Sequence, residues 1–205
     1  MGDSLPLIDS LPPLVLVHGL WDTPRLFNRL QRQLDGRRQP LLIPHLPHRF
    51  GAVGLLDLAE QLGQHIDEAF GPEQPIDLLG FSMGGVIARC WIQLFGGHRR
   101  SRCFYCVGSP QRGTLAAQLT PAFLLRGIAD MKPGSRLLRQ LDADLSTLEP
   151  VHCRSYYCRT DITVFPGWQA RLPIGPATAL PVFTHRQLMS HPRALAILSK
   201  ELISR

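Results

Sequence analysis

The sequence predicts an α/β fold in which about six mainly parallel strands are covered on both faces by helices. Short apolar runs without strict alternation recur along the chain, as strands buried on both faces require. Between them lie segments whose apolar residues return at helical spacing. At 205 residues the chain is long enough for one sizeable core and short for two, so a single domain over 1–205 is expected.

The elements follow in order. A strand over Leu14–Val17 precedes a helix over Pro24–Leu34. A strand over Pro40–Ile43 precedes a helix over Leu55–Phe70, and a strand over Ile76–Phe81 precedes a helix over Met83–Phe95, where Val86, Ile87, Cys90, Trp91 and Leu94 mark one face. Strands over Arg102–Val107, His152–Arg159 and Ala179–Phe183 continue the rhythm, and a last helix runs from about His191 to Ile203. Residues from about 114 to 150 break it. They are helical in pattern but carry Pro121, Gly127, Pro133 and Gly134, so they form a helical insertion between neighbouring strands. Its stretch Ala122–Ile128 is apolar nearly all round and suits either a core helix or a flap over a greasy pocket.

Composition narrows the function classes. Hydrophobic residues make up 44% and charged residues 19%, which places the chain with compact soluble proteins and not with disordered ones. The net charge of +6 comes almost wholly from arginine, since the only lysines are Lys132 and Lys200. The arginines are scattered and lack the aromatic-interleaved stripe of a nucleic-acid binder. A solvated basic surface is expected, open to weak peripheral contact with an anionic membrane. The first residues lack the cationic start of a signal peptide, Pro6 excludes an N-myristoylation motif, and the apolar run Leu11–Val17 is too short to span a bilayer, so a cytoplasmic location is expected. Cys103 and Cys106 have zinc-like spacing, but residues three apart on a strand face opposite sides of the sheet. The five cysteines read as free thiols, and no metal or cofactor is expected. His45 and His48 lack a third ligand nearby and read as exposed loop histidines.

One motif carries chemistry. Gly80-Phe81-Ser82-Met83-Gly84 sets a serine between glycines where an apolar strand meets a helix. A residue forced to positive φ at such a bend leaves no room for side chains two positions before and after it, and Gly80 and Gly84 meet that need. Ser82 requires a base, and in this arrangement the acid and then the histidine follow the serine in the chain. His185, directly after the last strand, is favoured over His191, which stands before Pro192 as a helix-start residue. Asp161, just past a strand at the same sheet edge as Ser82, is favoured over Asp142, Asp144 and Glu149. The backbone amides of Met83, next to the serine, and of Leu20, in the loop after the first strand, are expected to form the oxyanion hole. Gly19 lets that loop approach the substrate, and His18 reads as a structural residue orienting it.

With these residues in hand, the chain resembles α/β-hydrolases of the lipase and esterase type, including bacterial triacylglycerol lipase-like proteins. The likeness runs from about Leu14 to Leu198. It rests on His18-Gly19, the Gly80–Gly84 elbow, Asp161–Val164 and His185–Leu188, with further similarity at Gly108–Thr114 and Lys132–Ser135. Two edge strands common in the family are missing, which implies a minimal core, and Gln111 stands where its lipases usually carry histidine. The expected activity is hydrolysis of small-molecule or lipid esters of hydrophobic acyl chains through an acyl-enzyme on Ser82. Trp21, Phe27 and Phe123 are expected near the mouth. A thioesterase and a non-catalytic binding protein of the same fold are the alternatives.

Overall fold

The computed structural model describes residues 11–119 and 125–204. Its strands are β1 (Leu14–Val17), β2 (Leu41–Leu42), β3 (Ile76–Phe81), β4 (Ser101–Val107), β5 (His152–Tyr157) and β6 (Ala177–Ala179). They form one sheet in the order β2-β1-β3-β4-β5-β6, with every pairing parallel. Side chains alternate between its faces. Leu14, Leu16, Leu79 and Phe81 pack with Leu30 and Leu34 of α1 (Asn28–Leu34) and with Leu195 and Leu198 of α6 (Pro192–Ile203). On the other face, Val15, Val17, Leu78 and Phe104 pack with α2 (Leu55–Phe70) and α3 (Met83–Leu94). Complete burial of β1 explains why its sequence is a continuous apolar run.

Strand order also positions the site. The chain moves outward from β1 to β2, then crosses back so that β3 lies on the other side of β1. Loops leaving the carboxyl ends of β1 and β3 therefore part in opposite directions and open a crevice, the place where open α/β sheets bind ligands.

The elements depart from expectation at their ends. The first helix begins as a 3-10 turn over Pro24–Phe27 before α1. The last strand lies earlier than the expected Ala179–Phe183. Leu180 makes the final bond to β5, through its amide and the carbonyl of Tyr157, after which Pro181 has no N–H to give and Val182 turns back on Leu180. His191 caps α6, its Nδ1 accepting from the amide of Arg193 at 3.2 Å.

The insertion supplies α4 (Arg126–Asp130) and α5 (Arg136–Ala143), the latter capped by Ser135 Oγ on the amide of Leu138. Ile128, Leu137, Leu138 and Leu141 join the core on the α2–α3 face, so this part of the insertion is core. Ala122–Leu124 lie outside the described residues. A buried ion network ties α5 down. Arg89 of α3, fully buried, donates to Gln93 Oε1 (2.7 Å), to the carbonyl of Gln111 (3.2 Å) and to Asp142 (2.8 Å). Near the amino end of β3, buried Asp77 accepts from both Arg38 and Arg102. Cys103 and Cys106 face the two different core layers, and all five thiols are free.

Candidate active site

Ser82 stands alone between the end of β3 and the start of α3, with φ 53° and ψ −129°. A non-glycine residue is rare there, because its Cβ crowds the backbone, and such strain concentrates at functional sites. The tight bend dictates its neighbours. A Cβ on Gly80 would overlap the backbone of Gly85, and one on Gly84 would overlap the carbonyl oxygens of Val17 and His18. Gly19 brings the β1 loop just as close, since its missing Cβ would stand 2.8 Å from the Cβ of Ser82.

His185 opens a 3-10 turn after β6. A capping box fixes that turn, with the Gln187 side chain accepting from the amides of Phe183 (2.9 Å) and Thr184 (3.3 Å). The imidazole rests on Phe81, the residue before Ser82, at a centroid distance of 4.8 Å. Its other side meets Gly108, where a Cβ would stand 3.1 Å from Cε1. The adjacent carbonyl of Val107 accepts the amide of Ser82, so the ring lies beside the serine's own backbone.

Asp161 comes to the same imidazole from the loop after β5. Its Oδ2 lies 2.7 Å from His185 Nδ1, while Oδ1 accepts from the amides of Thr163 (2.8 Å) and Val164 (3.0 Å). The carboxylate is 1% exposed and spoken for on both oxygens. With Nδ1 donating to it, the lone pair of the neutral ring sits on Nε2. That atom is buried and has no hydrogen-bond partner among the described residues, the Ser82 hydroxyl included.

The amides of Leu20 and Met83 donate to no acceptor among the described residues. His18 sets the first of them. The Leu46 amide donates to its Nε2 at 3.1 Å, which leaves Nδ1 to donate to the carbonyl of Gly19 at 3.1 Å. Burial depresses its pKa, which keeps the ring neutral in this role. Trp21 is 68% exposed at this mouth, in a left-handed backbone conformation. Phe27 is not at the mouth: it is fully buried between β1 and the helices, because the 3-10 turn points it inward. Phe123 lies outside the described residues.

The sequence reading missed one neighbour, Asp22, and misplaced another, His48. Asp22 carries a carboxylate oxygen 3.2 Å from the point where a Gly19 Cβ would stand, on the approach to Ser82. Burial pushes its pKa up, with the charges of His185, Arg186 and His48 opposing. His48 is buried, contrary to expectation, because the loop after β2 folds back against His18, whose ring lies 6.0 Å away. Only their placement a few residues past strand ends hinted at either. Among the described residues no three His, Cys, Asp or Glu side chains are grouped to hold a metal ion. A cavity of about 630 Å³ opens at the amino ends of β4 and β5 beside α6, away from Ser82.

A parallel sheet with a strained serine at its switch point and a histidine–aspartate pair beside it defines the class of α/β-hydrolases. Residues 14–201 match the model of the Alpha/beta hydrolase family, and the chain belongs to that family. Among solved structures, it is similar to the mature lipase BlEst2 of Bacillus licheniformis, at 16% identity, with a TM-score of 0.74 over 95% of this chain and 93% of that one. Lipase B of Aspergillus fumigatus gives 16% identity and a TM-score of 0.78 over 96% of this chain and 54% of that one. The RedJ thioesterase of prodiginine biosynthesis in Streptomyces coelicolor gives 19% identity and a TM-score of 0.61 over 92% of this chain and 85% of that one. At such identities the likeness concerns the fold. No curated protein matches the sequence.

Proposed function

We propose that the protein is a serine hydrolase that cleaves carboxylic esters of hydrophobic acyl chains. The carrying observation is the imidazole of His185, anchored through Nδ1 by a saturated buried carboxylate and holding a free Nε2 lone pair beside the strained elbow of Ser82. The Ser82 hydroxyl attacks the ester carbonyl as Nε2 accepts its proton, and rotation of the hydroxyl toward Nε2 makes that transfer direct. The tetrahedral oxyanion forms against the Leu20 and Met83 amides, each worth about 3 kcal/mol of barrier. Collapse expels the alcohol, which takes the proton from the imidazolium. Water then attacks the acyl-enzyme by the same route and releases the acid. Asp161 holds the tautomer and stabilises the imidazolium throughout. The apolar side chains around the mouth, Trp21 among them, support a hydrophobic acyl chain.

The test compares the wild-type chain with Ser82→Ala on p-nitrophenyl esters of several chain lengths and on acyl thioesters. Turnover that rises with acyl length and is lost in the variant is the expected result. Equal turnover by both proteins overturns the enzymatic reading and leaves a binding protein of this fold. The likeness to the RedJ thioesterase keeps a second reading in view, since thioesters pass through the same tetrahedral intermediate. Selective turnover of thioesters would establish it.

A further inference from the structure

We propose that the face bearing Ser82 docks on the surface of an anionic phospholipid bilayer. Five segments follow strands at this edge of the sheet: residues 18–27, 43–54, 108–119, 158–174 and 180–191. They hold most of the large hydrophobic side chains left in solvent among the described residues. Trp21, Phe50, Ile162, Phe165, Trp168 and Phe183 are each at least half exposed. One or more projects after β1, β2, β5 and β6, so they ring the site and do not line one groove. Trp21 and Phe50 are moreover held at φ of 62° and 56°. Positive φ in a bulky residue is costly, and here it accompanies an aromatic ring left mostly in water.

Charge says what covers this ring. Every exposed charged residue in the five segments is an arginine, with Arg25, Arg49, Arg159 and Arg186 standing among the aromatics. The two acids present are withdrawn: Asp161 is buried against His185, and Asp22 is half-buried. Exposed acids stand outside these segments, among them Asp57, whose carboxylate lies 3.6 Å from where a Gly54 Cβ would stand, and Glu60, Glu68 and Glu73, so the selection holds for the loops themselves. Separate aromatic tips interspersed with arginines match the headgroup layer, where aromatic rings and arginine stems reach the acyl boundary while guanidinium groups pair with phosphates. An acidic protein would satisfy the arginines but leave ring tips on four separate loops without a common pocket. No helix among the described residues is long and apolar enough to cross a membrane.

The inference rests on the proposed hydrolase reading only for the entry of substrate from the bilayer, and its test needs no turnover. Ser82→Ala protein is sedimented with vesicles of phosphatidylcholine, with and without phosphatidylglycerol, at low and high salt. Binding is expected only to the anionic vesicles and weakens with salt. Two double variants of the same protein, Phe50→Asn with Trp168→Ser and Arg49→Glu with Arg159→Glu, should each lower the partition coefficient by about tenfold or more. Asn tolerates the left-handed backbone at position 50. The same pairs made in the otherwise wild-type chain should keep its turnover of a short soluble ester, which shows that they are folded. Absent binding, equal binding to both vesicle types, or unchanged binding by either pair overturns the proposal. So does loss with the arginine pair alone, which indicates an acidic macromolecule. Soluble-ester turnover without vesicle binding refutes docking alone, and binding without turnover refutes the hydrolase reading alone.

Discussion

His185 and Asp161, 24 residues apart in the chain, meet at 2.7 Å between Nδ1 and Oδ2, and the carboxylate's other oxygen is held by two backbone amides. The aspartate therefore cannot swing away from the imidazole without breaking its own turn. That rigidity makes the pair a positioning device and shapes the first prediction.

Asp161→Asn keeps an oxygen for the amides of Thr163 and Val164 but turns an NH₂ toward Nδ1. The imidazole must then carry its proton on Nε2, where Ser82 needs a lone pair. We expect kcat on soluble esters to fall by about 10³–10⁴ with KM and the melting temperature little changed. A variant retaining more than a tenth of wild-type kcat would refute the role.

Burial holds His18 and His48 below their ordinary pKa of 6.5. Below that value the unfolded chain binds protons that the folded one refuses, so folding stability is complete above 6.5 and declines as pH falls through it. Asp22 and Asp130, raised by burial from 3.8, work in the opposite sense and nearer the carboxylate range. The urea midpoint should be lower at about pH 5.5 than at about pH 7.5. A midpoint that rises on acidification would show these histidines to be solvated.

Backbone contact, not side-chain packing, limits the elbow glycines. Gly84→Ala drives a Cβ into the carbonyl oxygens of Val17 and His18, and Gly80→Ala into the backbone of Gly85. Each should cost about 3 kcal/mol or more in chemical denaturation. Gly54→Ala meets only ordinary contacts beyond 3.5 Å and should stay within about 1 kcal/mol of the parent. Equal stability of the three variants would contradict the close approach.

Asp77 lies near the amino end of β3, buried between Arg38 and Arg102. Asp77→Asn leaves the fully buried Arg38 without its counter-charge and should cost about 3–5 kcal/mol of stability. Activity per folded molecule on a short ester should be unchanged, because the substitution stands at the opposite end of β3 from Ser82. A fall in kcat would mean the two ends of the strand are coupled.

Features whose causes lie within a few residues, and those that follow from chain order, were legible in the amino-acid sequence. Spacing marked α2 at Leu55–Phe70, and the glycines around Ser82 announced a bend that only they permit. Chain order led from that bend to His185 and Asp161. Whatever depends on distant segments meeting came from the packed fold. It ended β6 at Ala179, turned Phe27 into the core, buried His48 against His18, set Asp22 at the approach to Ser82, and matched Arg89 with Asp142 across 53 residues. No periodicity encodes such partners. Each charge or ring finds its place only once the parallel crossovers have closed, because loop direction and burial are properties of the packed sheet and not of the local chain.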